Sequence, residues 1–381
     1  MARPIVDFST GLTDPASFPT EELAEVAARA IREVGANFVY YPGPLGHEGL
    51  RRVLAARESK REGRAFDPEH LALMNGSMQA VTLVGRALMK RPGDVIVTEE
   101  LTYSGTISAY KGLGAKLVGV PVDDEGMRVD ELEGILERLQ REGTPPAFVY
   151  TLPTYQNPTA AVMPIERRRA LLEVTRKFGV TVVEDNCYAD VHFEGEVPPS
   201  LYSLDESDHV VYICSLSKIF GAGLRLGYLC ARPPMLERLL SQRFDAGHSV
   251  LAASVAAAYL KDSLWSHVET HNAALLQKRD ALLDSLEANL AGTCSWLRPV
   301  GGLFLWLTLP RETDLDLLEE LATEEGVLFV RGRWFHIDNE DVPCIRLAFG
   351  YPERDQIAKG VERLAGCIYQ ASRRSDRRAS S

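Results

Sequence analysis

The alternation of two sequence patterns between residues 46 and 260 limits most strongly what this chain can fold into. Short apolar runs, at residues 147–153, 180–185 and 210–214, alternate with stretches that have the spacing of surface helices. Strands that alternate with helices form a mostly parallel sheet covered by helices. We therefore predict an α/β fold for this part of the chain.

The 381 residues exceed what a single hydrophobic core conveniently organises, so two domains are expected. Amphipathic patterns predict a helix over residues 20–34 and a long helix over residues 265–290. After residue 302 the pattern becomes strand, helix, strand, helix, which is typical of a smaller α+β domain. We predict three parts: an N-terminal segment (1–46) that joins the small domain, a large binding domain (47–270) and a small C-terminal domain (271–381).

A lysine follows the predicted strand at residues 210–214. Lys218 stands directly behind Ser215 and Ser217, and Arg225 comes seven residues later between glycines. A buried lysine is costly unless it is paired or neutralised, and condensation with an aldehyde makes such an amine useful. Hydroxyls and a guanidinium are the donors that a phosphate needs. The run therefore indicates a Schiff-base lysine beside a phosphate site, as pyridoxal 5′-phosphate (PLP) requires.

Simpler interpretations of this run exist. A serine-serine-lysine sequence is common in solvated turns, and Gly221, Gly223 and Gly227 have the close spacing of a dinucleotide-binding loop. Such a loop must open a helix, however, whereas residues 226–230 have the pattern of another short strand. The decision depends on what the other strand ends supply.

Two further strand ends supply the remaining groups. The run 180–185 closes on Asp185, with Tyr188 three residues later, and the run 147–153 leads to Asn157. A carboxylate keeps the pyridine nitrogen of PLP protonated, and the amide offers a donor. Each residue alone would also fit a helix cap or a turn. Because ligands of open α/β sheets bind at the carboxyl ends of the strands, the three ends together predict a PLP site.

The sequence resembles the class I/II aminotransferase family of fold-type I PLP-dependent enzymes, in the branch of the kynurenine/α-aminoadipate aminotransferases. The motifs at 157–160, 185–188 and 215–225 carry the resemblance, which extends from residues 5–11 to residues 344–349. It implies a PLP-binding α/β domain followed by a smaller α+β domain.

Three positions depart from the pattern of this family. Ala160 stands where a glycine is usual, Ala222 where a proline is usual, and Met78 where a glutamine is common. The first two shape the backbone, so they affect loop geometry more than chemistry.

The resemblance implies roles for residues upstream of the lysine. Ser77 and Met78 open an apolar helix and would contact the PLP phosphate, although a simple N-cap serine would have the same sequence. Tyr103 would stack on the pyridine ring. Tyr41 would reach the phosphate of a neighbouring subunit, which implies a homodimer with shared active sites and with dimer contacts from the segment 1–46.

Arg346 is the predicted partner of the substrate carboxylate. It lies in the apolar run 344–349, where an unpaired guanidinium is costly and a carboxylate would bind it in a bidentate manner. A structural salt bridge is the alternative. The resemblance adds Gly11 and Asn157 as substrate contacts.

Four other residues are expected to have no function. His267 and His271 could in principle share a metal, but no third ligand is evident, so no metal site is predicted and a solvated helix surface is expected. Arg331 and Arg333 could meet a substrate side chain, but solvated loop arginines are expected.

The predicted function is transfer of an amino group from an L-amino acid to a 2-oxo acid, with 2-oxoglutarate as the default acceptor. Lys218 would be the general base. Lyase, racemase or cyclase chemistry on the same scaffold is the alternative. A regulator-type PLP-binding domain is a distant one, because it needs an additional basic DNA-binding domain. The donor amino acid cannot be read from the sequence.

Composition agrees with an ordinary globular enzyme. The net charge of −11 argues against nucleic acid or an anionic membrane as partner, and no apolar stretch has transmembrane length. The six cysteines are scattered without metal-binding spacing. We therefore expect buried thiols and a cytoplasmic location.

Overall fold

The computed structural model describes the chain from residue 4 to residue 379, with side chains to residue 373. The strands in this range are β1 (Val6–Asp7), β2 (Leu71–Met74), β3 (Val95–Glu99), β4 (Lys116–Val120), β5 (Val122–Asp123), β6 (Gly126–Met127), β7 (Val149–Thr151), β8 (Val182–Asp185), β9 (Val210–Ser215), β10 (Gly227–Cys230), β11 (Ser295–Trp296), β12 (Phe304–Thr308), β13 (Val327–Leu328), β14 (Val330–Arg331) and β15 (Cys344–Ala348). The α-helices are α1 (Thr20–Val34), α2 (Glu48–Glu62), α3 (Ser77–Leu88), α4 (Ser104–Gly112), α5 (Val129–Arg141), α6 (Ile165–Lys177), α7 (Leu201–Leu204), α8 (Met235–Leu240), α9 (Val250–Leu290), α10 (Leu315–Glu324) and α11 (Arg354–Ala379).

The central sheet has seven strands in the order β2–β10–β9–β8–β7–β3–β4. The pairs from β9 to β4 are parallel, whereas β10 runs antiparallel to both of its neighbours. The parallel strands β3, β7, β8 and β9 are buried along their whole length, as expected when helices cover both faces. The predicted α/β fold is confirmed, and the carboxyl ends of β7, β8 and β9 meet at one edge.

A second, antiparallel sheet has the order β11–β12–β15–β14. Its core includes apolar side chains of α11 and of the last turns of α9. The N-terminal strand β1 pairs in parallel with β13, with Val6 opposite Val327. Strand β1 near the start of the described chain therefore packs beside β13, which belongs to the C-terminal part. The domain limits at residues 46 and 270 stay a prediction.

Helix α9 begins 15 residues earlier than predicted, at Val250 instead of residue 265. The Ser249 hydroxyl caps it by accepting a hydrogen bond from the Ala252 amide. Residues 253–256 are all buried, so this stretch has no polar face to give it a helical period. None of the helices in the described range is both long and apolar enough to span a membrane.

Candidate active site

Lys218 lies just beyond the end of β9, in a short π-helical turn (Ser217–Gly221). Its Nζ donates to the Gly11 carbonyl oxygen (2.9 Å) and lies 5.6 Å from the centre of the Tyr188 ring. Burial lowers the pKa of Lys218, and the Arg346 guanidinium lowers it further. A larger fraction of this amine is therefore neutral than at a surface lysine, and the neutral amine is the form that attacks an aldehyde.

Asp185 closes β8, the strand next to β9. Its Oδ2 accepts a hydrogen bond from the Tyr150 hydroxyl (2.7 Å), whereas Oδ1 is buried without a hydrogen-bond partner in the described part of the chain. Burial raises the pKa of this carboxyl. A buried unpartnered oxygen is costly, and a protonated ring nitrogen is a donor that would satisfy it.

A cradle of donors lies at the start of α3. Gly76 has φ +81°, and a Cβ at this position would lie 2.3 Å from Nη2 of Arg225. A Cβ at Gly227 would lie 2.6 Å from the backbone nitrogen of Ser77. Arg225 donates to two backbone carbonyl oxygens (3.1 and 3.2 Å) and forms no ion pair with a described carboxylate. A helix N-terminus and a guanidinium without an ion-pair partner are the kinds of donor that bind phosphate groups.

Arg346 enters the site from the middle of β15. Its Nη1 donates to Asn157 Oδ1 (3.0 Å) and its Nη2 to the Ser9 carbonyl oxygen (2.9 Å). The guanidinium carbon lies 4.2 Å from the ring centre of Phe304 and 4.7 Å from that of Phe335. Burial lowers its pKa to about 10, and none of the described carboxylates pairs with it. A structural salt bridge within the described chain is therefore not what holds this arginine.

Most of the predicted site residues line one cavity of about 220 Å³. Ten predicted site residues line it: Ser77, Met78, Tyr103, Asn157, Asp185, Tyr188, Ser215, Ser217, Lys218 and Arg225. Gly11 and Arg346 lie beside it, since they contact Lys218 and Asn157. Tyr41 does not line the cavity, and its side chain is 83% exposed.

Asn157 and Tyr188 meet at the middle of the cavity. The Asn157 Nδ2 donates to the Tyr188 hydroxyl (3.4 Å), and the Tyr188 ring packs edge-on against Phe304, with 5.4 Å between ring centres. Two strand ends, those after β7 and β8, thus place an amide and a phenol side by side.

Three lining residues were not predicted as site residues: Leu152, Cys187 and Ala222. The sequence suggested only a buried thiol for Cys187. Its position between Asp185 and Tyr188, after the same strand, was the signal that could have placed it in the site. Ala160, noted as a departure from the family pattern, has φ +63°, a conformation in which glycine is unstrained.

The expectation of a solvated loop arginine is wrong for Arg331. This residue is 6% exposed, and its guanidinium pairs with Asp316 (2.5 Å), Glu319 (3.2 Å) and Asp341 (3.1 Å). The neighbouring Arg333 pairs with the same Asp341 at 3.3 Å. Both arginines are thus already neutralised within the chain, which argues against a role in binding an acidic substrate side chain.

The expectation of a solvated surface is also wrong for His267 and His271, which are 9% and 1% exposed. Their rings stack 6.1 Å apart on the inner face of α9. Each Nε2 lies near a backbone carbonyl oxygen of the lysine turn, that of Ile219 for His267 and that of Lys218 for His271. No group of His, Cys, Asp and Glu within the described range has the arrangement of a metal site.

Residues 3–364 match the sequence profile of the family described as aminotransferase class I and II. The chain belongs to this family. The aromatic-amino-acid aminotransferase 1 of Thermococcus litoralis is 32% identical, over 96% of this chain and 88% of the relative. The 2-aminoadipate transaminase of Thermus thermophilus is 33% identical to this aminotransferase, over 96% of this chain and 90% of the relative.

The structural comparison agrees. The kynurenine aminotransferase of Pyrococcus horikoshii, crystallised in complex with PMP, superposes with a TM-score of 0.90 at 32% identity, covering 97% of this chain and 91% of that one. The predicted family, the PLP cofactor and the aminotransferase activity are confirmed. The protein is a PLP-dependent enzyme that transfers an amino group from an amino acid to a 2-oxo acid.

The residues of the cavity fit this cofactor. The unpartnered Oδ1 of Asp185 faces the site where a protonated ring nitrogen would be satisfied. Gly76 has no Cβ, so the Arg225 guanidinium can lie directly against its backbone, at the helix N-terminus where a phosphate group would bind. Lys218 supplies a buried amine that lines the same cavity.

Proposed function

We propose that Lys218 carries PLP and, once an incoming amino acid has displaced it, moves the proton at the substrate Cα. When bound, PLP draws electrons away from that carbon. The observation that supports this proposal is one cavity with a buried amine, the unpartnered Oδ1 of Asp185 and, beside it, the unpaired guanidinium of Arg346. Arg346 would bind the substrate carboxylate and so orient the Cα–H bond toward Lys218.

Other side chains would hold and tune the cofactor. Asp185 would keep the ring nitrogen protonated, and Tyr103 would stack on the ring. Asn157 and Tyr188 would donate hydrogen bonds to the phenolic oxygen of the ring, and Gly11 would contact the substrate. The phosphate would be bound by Ser77, Met78, Ser215, Ser217 and Arg225.

For the donor we propose an L-amino acid with a large apolar or aromatic side chain, and for the acceptor a 2-oxo acid such as 2-oxoglutarate. Leu12 and Phe18 are 42% and 41% exposed, and the Phe18 ring packs against the position of Gly221, three residues after Lys218. Arg331 and Arg333 are occupied by carboxylates of the chain. Relatives named for aromatic amino acids and for kynurenine agree with this preference, whereas the relative named for 2-aminoadipate has an acidic substrate and does not.

The test is the absorbance spectrum of the holoenzyme as L-amino acids are added one at a time without acceptor. We expect phenylalanine, tyrosine or kynurenine to convert the visible band of bound PLP to that of the pyridoxamine form, ahead of alanine and aspartate. Lys218→Ala should lose at least about 10²-fold in turnover, since a general base contributes roughly 10²–10⁴-fold.

Lys177→Ala is the matched control, because this lysine is exposed on α6 and pairs only with surface carboxylates. It should keep both the band and the activity. A Lys218→Ala enzyme that still turned over would refute the role of Lys218. A donor consumed without pyridoxamine phosphate would indicate lyase, racemase or cyclase chemistry instead.

We also propose a two-fold homodimer in which Tyr41 of each subunit reaches the cavity of the other. Residues 38–41, Phe-Val-Tyr-Tyr, form a continuous apolar stretch in which Val39, Tyr40 and Tyr41 are 77%, 70% and 83% exposed. Exposed apolar patches of this kind favour a protein partner. A cytoplasmic location is proposed from the six free cysteines and is tested by cell fractionation.

A further inference from the structure

Residues 9–18, here called the N-terminal strap, lie against the lysine and the carboxylate-binding arginine. The Ser9 carbonyl oxygen accepts from Arg346 and the Gly11 carbonyl oxygen accepts from Lys218, each at 2.9 Å. At its far end, the strap places the Phe18 ring 3.0 Å from the Cβ position of Gly221. Any substrate that binds Arg346 and Lys218 must therefore share these groups with the strap or displace it.

His271 connects the strap to the lysine turn. Its Nε2 lies 2.7 Å from Thr13 Oγ1 and 2.9 Å from the Lys218 carbonyl oxygen, and its Nδ1 lies 2.8 Å from Ser17 Oγ. Burial lowers the pKa of His271 to about 4, so the ring is neutral at physiological pH. The neutral ring carries one proton, and the carbonyl oxygen can only accept it, so Nε2 is the protonated nitrogen.

This tautomer makes the three contacts mutually dependent. The Nε2–H group is shared by the Lys218 carbonyl oxygen and Thr13. Nδ1 carries no proton, so it can only accept a hydrogen bond, and the Ser17 hydroxyl is its donor. The Ser17 hydroxyl also lies 2.7 Å from the Asp14 carbonyl oxygen and has one proton for the two acceptors. A neutral imidazole buried to this degree is stabilised only if these partners stay in place. Movement of the strap therefore removes partners from His271.

We infer that His271 is a positioning residue that couples closure of the N-terminal strap to the position of Lys218. It touches neither Nζ nor the carboxylate-binding guanidinium, and it acts through Thr13, Ser17 and the Lys218 backbone. Substrate entry displaces the strap, and the hydrogen bonds of His271 with Thr13 and Ser17 favour its return to the closed position. The kinetic part of the inference rests on the proposed role of Lys218, whereas the coupling itself does not.

His267 provides a matched control one turn earlier on α9. It is also buried, and its Nε2 contacts the next carbonyl oxygen of the same turn, that of Ile219 (2.5 Å). Its Nδ1 faces Tyr259, and no hydrogen bond joins it to residues 9–18 in the described structure. Replacement of either histidine removes a buried imidazole from the same helix, but only His271 bridges to the strap.

The first experiment is a double-mutant cycle on the holoenzyme with His271→Ala and Thr13→Val. We expect each to raise the KM for the amino donor, by about 10-fold for His271→Ala, with kcat changed less than about 3-fold. The double variant should be no worse than His271→Ala within about 2-fold, because both remove the same link. His271→Gln, whose amide can occupy the Nε2 position, should restore most of the KM, and His271→Asn should not. In the control cycle, His267→Ala and Thr13→Val should be additive.

The second experiment is hydrogen exchange of the same holoenzymes, read on peptides that cover residues 9–18. We expect about 10-fold faster exchange there in His271→Ala and Thr13→Val, and unchanged exchange in His267→Ala. This readout needs no turnover, so it stands even if the proposed role of Lys218 fails. Unchanged strap exchange in a folded His271→Ala enzyme, or additive KM effects in the first cycle, would overturn the inference.

Discussion

Arg346 is a buried arginine whose charge is not balanced by a described carboxylate. It is only 6% exposed, and its guanidinium is surrounded by two aromatic rings, an amide and a carbonyl oxygen, with no described carboxylate to balance its charge. A buried unpaired charge destabilises the folded chain. This cost is the physical basis of the proposal that Arg346 binds a carboxylate.

Replacement of Arg346 by methionine separates binding from stability. We expect the KM for the amino donor to rise roughly 100-fold, because about 3 kcal/mol of bidentate, charge-assisted hydrogen bonding is lost. The free energy of unfolding should fall by less than about 1 kcal/mol, because removal of a buried unpaired charge offsets the two hydrogen bonds lost to Asn157 Oδ1 and the Ser9 carbonyl oxygen. Donor titrations and urea unfolding measure the two effects.

Arg168 is the control for this prediction. It is also buried, but it donates to the carbonyl oxygens of Met163, Pro199 and Pro153 (2.9, 3.2 and 2.9 Å). Arg168→Met leaves these acceptors unpaired and should destabilise the protein by about 3 kcal/mol or more. If Arg346→Met destabilised the protein as much as Arg168→Met, the binding role would be contradicted.

The sequence predicted the residues whose position follows from a strand end. Lys218, Asp185 and Asn157 follow β9, β8 and β7, and parallel strands bring such ends together. His271 was not predicted, because its function arises from contacts 254 and 258 residues away along the chain. Nothing in the local pattern of a long helix distinguishes a histidine that faces the site from one that faces solvent.

At the scale of elements, Glu99 joins the ends of β3 and β7. Its buried carboxylate accepts from the Thr151 hydroxyl (2.6 Å), the Leu152 amide (2.8 Å) and the Thr102 hydroxyl (3.1 Å). Leu152 lines the cavity, and Thr102 precedes the lining residue Tyr103. One carboxylate therefore fixes two loops of the active site, and no described cation pairs with it.

Burial raises the pKa of Glu99 from 4.5 to about 7. The folded state therefore binds a proton that the unfolded chain releases, so this group lowers stability as pH rises from about 4.5 to 7. Glu99→Gln removes that loss. The free energy of unfolding of the variant minus that of the native protein should therefore increase by up to about 3 kcal/mol as the pH is raised from 5 to 8. Urea unfolding at several pH values measures it.

Glu184 also has a pKa raised by burial to about 7, but it is present in both proteins and cancels in the difference. The glutamine amide introduced by Glu99→Gln cannot accept every hydrogen bond, which adds a constant that does not vary with pH. Parallel stability curves for the two proteins would show that Glu99 does not titrate in this range.

Element boundaries were predicted best where one face is apolar. Helix α1 has the predicted limits, Thr20–Val34, because its buried residues recur with helical spacing. The first turns of α9 were missed because nearly all of their side chains are apolar, so no polar face marks the helical period. The sequence signal for the start of this helix was its cap residue, Ser249, because the hydrophobic spacing does not show where the helix begins.

At the scale of the whole molecule, subunit mixing tests whether the active sites are shared. Lys218→Ala and Tyr41→Ala should each be inactive or weakly active alone. After the two are mixed and re-equilibrated, half of the dimers are hybrids with one intact site, so about a quarter of the native activity should return. Sedimentation should give twice the 42.1 kDa mass of the chain.

Tyr369→Ala is the control, because Tyr369 is a partly exposed tyrosine on α11, outside the apolar stretch 38–41. It should retain activity alone. A Tyr41→Ala enzyme of native activity, or mixing without recovery, would contradict the shared site.

The pairing of β1 with β13 has a consequence for the order in which the protein is made. Val6 leaves the ribosome well before its partner Val327, which is synthesised more than 300 residues later. Lys218, Asp185 and Arg225, which line the cavity, are all synthesised before that partner strand. Residues 9–18, which follow β1, can therefore be held beside the cavity only after the strand with Val327 and the Arg346 side chain have been made.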